Sequence, residues 1–307
     1  YVTDIFTYRA VGFIEQPRTA PFLLILSHKA LHPNNRQQAD GTSVRIGEGG
    51  FIPADRHKTL YADDRPPRRG NYAVPPQGKP ALERAIPGLP PLGPTTVTPD
   101  ETIRDRLRML AAVDEGLGQM LAALEKQNAL DRTLVLIVGD NGYFYGEHGL
   151  SQERRLAYEE SIRLPLLVRY PPRVQAGAEP VGLALTTDLA PTIVELAGAP
   201  AMPGIDGRSL VPLFARTPAD WRKSFLIEYT TDIVFPRTLK MGYDAVRTER
   251  YKFIRYRDLK DMNELYDLLE DPFELSNLIA APTANPVRRA MERELDRILA
   301  SARTPLP

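Results

Sequence analysis

Cysteine is absent from the 307 residues. That excludes disulfides, thiolate metal sites and a cysteine nucleophile. Histidine is scarce: His28, His32, His57 and His148 are all there is, too few for a histidine-rich metal cluster. Neither sign of charge is in excess, with 39 Lys+Arg against 39 Asp+Glu, so nothing favours a nucleic-acid partner or a polybasic membrane surface. No run approaches the ~18 apolar residues of a membrane span. No charged segment followed by an apolar stretch marks a signal peptide after Tyr1. What is present, 43% hydrophobic and 25% charged residues, is the balance of a globular chain rather than a disordered or fibrous one. The length suits one large or two smaller domains.

The apolar patterning alternates between helix and strand. Ile5, Ala10, Val11, Phe13 and Ile14 recur at near-helical spacing over 3–16, with Thr3 or Asp4 as cap and Pro17 as stop. Pro21–Leu26 is a continuous apolar run, the pattern of a strand buried on both faces. Residues 35–98 read as irregular, with ten prolines from Pro66 to Pro99, and such a stretch is either a functional lid, disordered or a surface insertion. Thr98-Pro99-Asp100-Glu101 predicts a capped helix running to Lys126, with Leu107, Leu110, Leu117, Met120, Leu121 and Leu124 as its apolar stripe and Asp114 as a structural interruption. Leu134–Val138 and Leu164–Tyr170 are further apolar strands, and 186–198 a helix capped by Thr187 or Asp188. This alternation predicts an α/β fold with a mostly parallel central sheet flanked by helices. Beyond Pro200 the segments 226–229, 244–248, 251–256 and 264–266 are short and alternating, and predict a small antiparallel sheet. Arg247, Arg250 and Lys252 read as solvated strand-edge charges in preference to contacts for an anionic substrate. Asp271-Pro272-Phe273-Glu274 has the form of a capping box, and an amphipathic helix covers 286–300. The expected organisation is a core over 1–204, including the Pro-rich 35–98, and a C-terminal α+β subdomain over 205–307.

Two of the apolar strands end in groups fit for chemistry. One leads into Ser27-His28-Lys29-Ala30-Leu31-His32-Pro33, the other into Asp140-Asn141-Gly142. Open α/β sheets place ligands beyond the carboxyl ends of their strands. Asp140 and Asn141 offer one anionic and one neutral oxygen, donors for Ca²⁺ or Mg²⁺ rather than zinc; taken alone, the triplet is more simply an Asn-Gly turn closing the strand. His32 can bind an anionic ester or protonate its leaving group, and Lys29 can supply fixed positive charge. A satisfied surface histidine is the plainer account of His32. His148, in Gly146-Glu147-His148-Gly149, is a second candidate.

Taken together these segments resemble the sulfatases of the alkaline-phosphatase-like superfamily. The resemblance is carried by Asp140-Asn141-Gly142-Tyr143-Phe144, Gly146–Leu150 and Tyr158-Glu159-Glu160-Ser161-Ile162-Arg163-Leu164-Pro165, by Ser27–Pro33 upstream, and by Asp206–Leu210, Val246-Arg247-Thr248, Tyr251-Lys252, Leu265-Tyr266-Asp267 and Asn277-Leu278 downstream. It implies a calcium-assisted, formylglycine-dependent sulfuric ester hydrolase, with a sulfate-ester small molecule or a sulfated glycan as partner. Asp140 and Asn141 would bind the metal. His32 and Lys29 would serve the leaving group, and His28 and His148 would contact substrate. Arg154 takes the position of the family's sulfate-binding lysine, with Arg155 beside it.

The departures are concentrated at the nucleophile. Formylglycine is made from Cys or Ser in a Cys/Ser-x-Pro-x-Arg motif, and none of the eight serines has Pro two positions later. The family's first pair of calcium carboxylates and its Gly-Lys-x-x-His-type segment also have no match. The pattern corresponds to the last two-thirds of a sulfatase, with formylglycine expected upstream of Tyr1, and this polypeptide alone is expected not to turn over sulfate esters. A non-catalytic sulfatase-like scaffold is the alternative from another class. A phosphatase or phosphonate hydrolase of the same superfamily is a lesser one, opposed by Asn141 and by the small number of histidines.

Overall fold

The computed structural model describes residues 1–40, 42–46, 50–216, 218–231 and 235–302. Parts of two expected ranges, residues 41 and 47–49 of the Pro-rich stretch and 217, 232–234 and 303–307 of the C-terminal range, lie outside the described residues. The chain forms two compact units, one of residues 1–68 and 98–135, the other of 69–97 and 136–307, a different division from the expected 1–204 and 205–307.

In the first unit, helix α1 (Val2–Ile14) packs on the long helix α3 (Asp100–Lys126). Gly116 makes this approach close: a Cβ there would lie 2.3 Å from Thr7 Oγ1. The buried face of α3 is Ile103, Met109, Ala112, Gly116, Ala123 and Leu124, whereas Leu107 and Leu110 of the expected stripe are exposed. Both helices start without the expected side-chain caps. Asp4 is drawn instead to Arg56, and Glu101 to Arg104 and Arg108, because a full guanidinium partner outcompetes a single backbone N–H. The Pro21–Leu26 run is not a strand. With no ladder partner it turns Phe22 and Leu24 onto Ile14, Ala123 and Leu124 and leaves Leu23 and Ile25 exposed. Strands β1 (Asn35–Gln37) and β2 (Ser43–Arg45) make an antiparallel hairpin.

The second unit holds helix α2 (Pro80–Glu83), strand β3 (Val135–Val138, from Leu136 onward), helix α4 (Glu159–Ile162), strand β4 (Leu166–Arg169) and helix α5 (Leu189–Leu196). β3 and β4 pair as a two-stranded sheet, partly exposed rather than buried on both faces. Asp188, at the start of α5, is fully buried and satisfied by the N–H groups of Leu185 and Arg208 and by the Arg222 guanidinium.

The expected antiparallel sheet is present as β5 (Ser224–Tyr229), β6 (Tyr243–Thr248), β7 (Tyr251–Tyr256) and β8 (Glu264–Asp267), in that order. Both of its faces are covered. Helix α6 (Asn285–Ala302) sets Met291, Leu295 and Leu299 on Val246, Phe253 and Leu265. Phe144, Leu150, Leu156 and Tyr158 fill the other face with Ala245, Ile254, Tyr256 and Tyr266. The period-two alternation of β7 assigns Phe253 to the helix side and Lys252, Ile254 and Tyr256 to the other.

One expectation fails here because a buried charge attracts a partner. Residues 271–274 form a turn, not a helix, and Glu274 is folded inward at φ 53° to a fully buried position beside Lys252. The Pro-rich stretch is packed in part. Its Ala54 and His57 are buried in the first unit, and its Asn71, Lys79, Ala81, Leu82 and Leu92 in the second.

Candidate functional site

The turn after β3 presents the oxygen donors. Asp140 Oδ1 accepts the N–H of Asn141 at 2.9 Å, and Asn141 Nδ2 donates to the Gly142 carbonyl at 2.6 Å. Asp140 Oδ2 and Asn141 Oδ1 have no protein partner among the described residues. The turn is pinned from behind, where Gly142 N–H donates to Ser161 O (2.7 Å) and Tyr143 N–H to Glu160 O (2.8 Å). Gly142 is required for this approach, since a Cβ would fall 1.9 Å from Glu160 O.

Ser161 also connects this turn to the candidate anion residue. Its Oγ donates to the carbonyl of Arg154 at 2.5 Å. The two adjacent arginines are in different circumstances. Arg155 is committed, ion-paired to Glu153 at 3.0 Å and stacked over Phe235 at 3.7 Å. The Arg154 guanidinium has no side-chain partner among the described residues, while its N–H is held by Glu153 Oε1 at 2.8 Å. Arg154 therefore has a fixed backbone and a free forked cation, the combination that suits an oxyanion.

His148, expected to contact substrate, is fully buried. Its Nε2 lies 3.2 Å from Asn71 Nδ2 and 3.9 Å from Glu160 Oε2, and its ring rests on Tyr158 with centroids 4.8 Å apart. Burial, with Lys79 and Lys252 nearby, holds its pKa well below the usual histidine value, so it is neutral at pH 7. A neutral ring closed off from solvent supports Glu160 and Tyr158 rather than meeting a dissolved ester.

The other predicted residues belong to the first unit. His32 is exposed, in a turn closed by its N–H to Lys29 O (3.1 Å) after Leu31 at φ 71°. Its Nδ1 is 3.0 Å from Pro33 O, which can only accept, so Nδ1 carries hydrogen and Nε2 is the free nitrogen. Lys29 is exposed. His28 is half-buried against Phe6, and loss of solvent lowers its pKa.

Sequence reasoning missed a buried ionic cluster under the Tyr158–Ser161 segment. Lys252 Nζ, fully buried, contacts Ala157 O (2.7 Å), Glu159 Oε1 (2.9 Å) and Glu274 Oε1 (2.7 Å). Arg247 is 3.3 Å from Glu159, and Arg250 pairs with Asp267 at 2.7 Å. Lys252 is thus inside the core and Arg247 largely covered, rather than solvated edge charges, while Arg250 is exposed as expected and pairs at the surface. Beside them the buried Glu264 accepts the hydroxyls of Tyr158 (2.7 Å), Tyr266 (2.6 Å) and Tyr256 (3.1 Å). The signal for Lys252 was present in the alternation of Tyr251–Tyr256, which puts it on the face of Ile254.

Comparison with known proteins gives the family. The Sulfatase family model matches residues 1–199, and the model for the C-terminal part of N-sulphoglucosamine sulphohydrolase matches 146–301. The chain is 37% identical to an N-acetylglucosamine-6-O-sulfatase of Bacteroides thetaiotaomicron over 57% of this chain and 32% of that protein. It is 32% identical to an arylsulfatase of Volvox carteri over 98% of this chain and 50% of that protein, so it spans about half the length of that relative. A solved structure of a protein in complex with its substrate, D-glucosamine-2-N,6-O-disulfate, superposes with a TM-score of 0.79 at 26% identity, over 97% of this chain and 69% of the other. Among the described residues no helix is long and apolar enough to cross a membrane. With a family model matched over most of its first two hundred residues and the alkaline-phosphatase-like fold of its structural neighbours, this chain belongs to the sulfatase family.

Proposed function

We propose that this chain carries part of the active site of a hydrolase that cleaves sulfate esters of a small molecule or a glycan, an amino sugar being the favoured class. The observation that carries the reading is the Asp140–Asn141 oxygen pair, tied through Ser161 to the unpaired Arg154. Two free oxygens of one carboxylate and one amide suit a hard cation, calcium or else magnesium. They supply part of a shell of about six to eight oxygens. No group of three or more acidic or histidine side chains completes it among the described residues. A cation held there would polarise the ester and offset negative charge developing on it.

The remaining assignments use this chain's own atoms. Arg154 grips two sulfate oxygens with its fork. In the first unit, a doubly protonated His32, its Nδ1–H donating to Pro33 O, has a second proton on Nε2 for a leaving oxygen, with Lys29 as added positive charge. His28, of the same first unit, is assigned a polar contact to a substrate, and in the second unit His148 keeps the Tyr158–Glu160 segment in place. The formylglycine of the family has no counterpart among these residues, since there is no Cys and no Ser followed two positions on by Pro. No step is assigned to it.

A second reading is a sulfatase-like scaffold without turnover. The test is the protein purified from the cells that make it, assayed for sulfate release from glucosamine 6-sulfate with and without EDTA, beside Asp140→Asn. Release that needs calcium and is lost in the variant supports the hydrolase. Calcium binding with no release supports the scaffold.

A further inference from the structure

Three charges buried in one place require an account. Lys252, Glu159 and Glu274 are each less than a tenth exposed. Removing an ion from water costs several kcal/mol, and a well-packed apolar trio would be as stable or more so. What the ionic arrangement adds is direction. Each bond in it fixes a particular atom of one short segment.

Lys252 Nζ holds the Ala157 carbonyl at 2.7 Å and the Glu159 carboxylate at 2.9 Å. Glu274, itself held by Lys252, accepts the Glu159 N–H through Oε2 at 2.7 Å. Residues 157 and 159 are therefore located by contacts from β7 and from the turn after β8. The next residues pass the placement on. Glu160 O and Ser161 O receive the N–H groups of Tyr143 and Gly142, and Ser161 Oγ holds the Arg154 carbonyl. The backbones of the metal turn and of the anion residue both depend on the line that starts at Lys252.

We infer that Lys252, acting with Glu274, is a positioning residue that sets the 157–161 segment and through it the Asp140–Asn141 turn and Arg154. Its functional meaning rests on the reading of Asp140, Asn141 and Arg154 as metal and sulfate ligands. Its structural content does not. Lys252 touches neither metal nor substrate. Its effect is carried by the ion pairs and hydrogen bonds that hold the 157–161 segment.

The test compares the whole chain with Lys252→Met and with Lys252→Met/Glu274→Gln, the second removing both members of the buried pair so that no lone charge is left behind. Amide hydrogen exchange by mass spectrometry is read for 140–145 and 154–162 against 224–229 of β5, and Ca²⁺ affinity by calorimetry. The expected result is a selective loss of protection at 140–145 and 154–162, with β5 unchanged, and Ca²⁺ binding weakened about tenfold, as for groups that orient metal ligands from behind. Unchanged protection at 140–145 overturns the inference. So does an equal loss in β5, or failure of both variants to fold, since Lys252 would then serve the core as a whole. If Asp140→Asn leaves Ca²⁺ binding of the otherwise native chain untouched, the metal reading fails, and the exchange pattern still decides whether Lys252 places the segment.

Discussion

The Lys252 ammonium lies 2.7 Å from Glu274 Oε1 with both side chains closed off from solvent. Proximity to the cation favours the carboxylate, and burial opposes it. Burial is the larger effect, so the Glu274 carboxyl is pushed up to about 7 from an ordinary value of 4.5. A carboxyl that holds its proton more tightly folded than unfolded stabilises the native state most below its unfolded pKa. That contribution is lost as pH rises through the folded value. Between pH 4.5 and about 7 the wild type should therefore lose about 3 kcal/mol relative to Glu274→Gln. Urea unfolding of both proteins across pH 4.5 to 8 measures the difference. Parallel profiles would show that Glu274 titrates normally.

His148 works in the opposite sense. Its pKa is depressed well below 6.5, chiefly by burial, so the unfolded chain takes up the proton first as pH falls. The stability it contributes is present above pH 6.5 and is lost progressively below it. In histidine-selective NMR spectra its ring resonances should stay fixed from pH 8 to 6, where an ordinary histidine moves through half its range or more. A His148 signal that titrates near 6.5 would mean that the ring is open to solvent.

These two residues also mark what the sequence could and could not disclose. Segments with a strong period were legible: α1, α3, α6 and the four strands β5 to β8 fall within a few residues of their expected bounds. Pro21–Leu26 was misread because an apolar run states that a segment is extended, not that a neighbour supplies its ladder. Asp271–Glu274 has the local form of a helix start, and groups distant in sequence, Lys252 and the Glu159 N–H, hold Glu274 inward. Asp140 and Asn141 were legible as a strand-end oxygen pair. The state of His148 was not, since its burial is made by Asn71, Tyr158 and Glu160, residues up to 77 positions away.

The turn that carries the oxygen pair should be sensitive at two neighbouring positions in different ways. Asp140→Asn removes the anionic donor but keeps the shape. It should cost little stability and weaken Ca²⁺ binding tenfold or more. Gly142→Ala keeps both donors but sets a methyl where Glu160 O now lies 1.9 Å from the ideal Cβ position. Relief requires the turn and α4 to part, at about 1–3 kcal/mol, and Ca²⁺ binding should fall with it. Thermal melts beside calorimetry separate the two. Full Ca²⁺ affinity in Gly142→Ala would show that the turn tolerates displacement.

The adjacent arginines give the sharpest contrast, because similar truncations should do opposite things. Arg155 is spent on structure: its guanidinium is stacked over Phe235 at 3.7 Å and paired with Glu153 at 3.0 Å. Arg155→Ala gives up both contacts and should lower stability by about 1–2 kcal/mol. Glu153 keeps two backbone donors, the N–H groups of Arg154 and Arg155, so no carboxylate is orphaned and the loss stays moderate. The Arg154 side chain makes no such contacts, and Arg154→Ala should change stability by less than about 0.5 kcal/mol. Its effect should appear with an anion present, as sulfate affinity about tenfold weaker than wild type, the size of one charge-assisted bond lost. Arg154→Lys separates charge from shape: an ammonium keeps the charge but cannot offer a planar fork to two sulfate oxygens. Affinity restored only in part by Lys would assign the loss to bidentate geometry. If Arg155→Ala weakens sulfate and Arg154→Ala does not, the two positions have exchanged roles and the anion site lies one residue further along the chain.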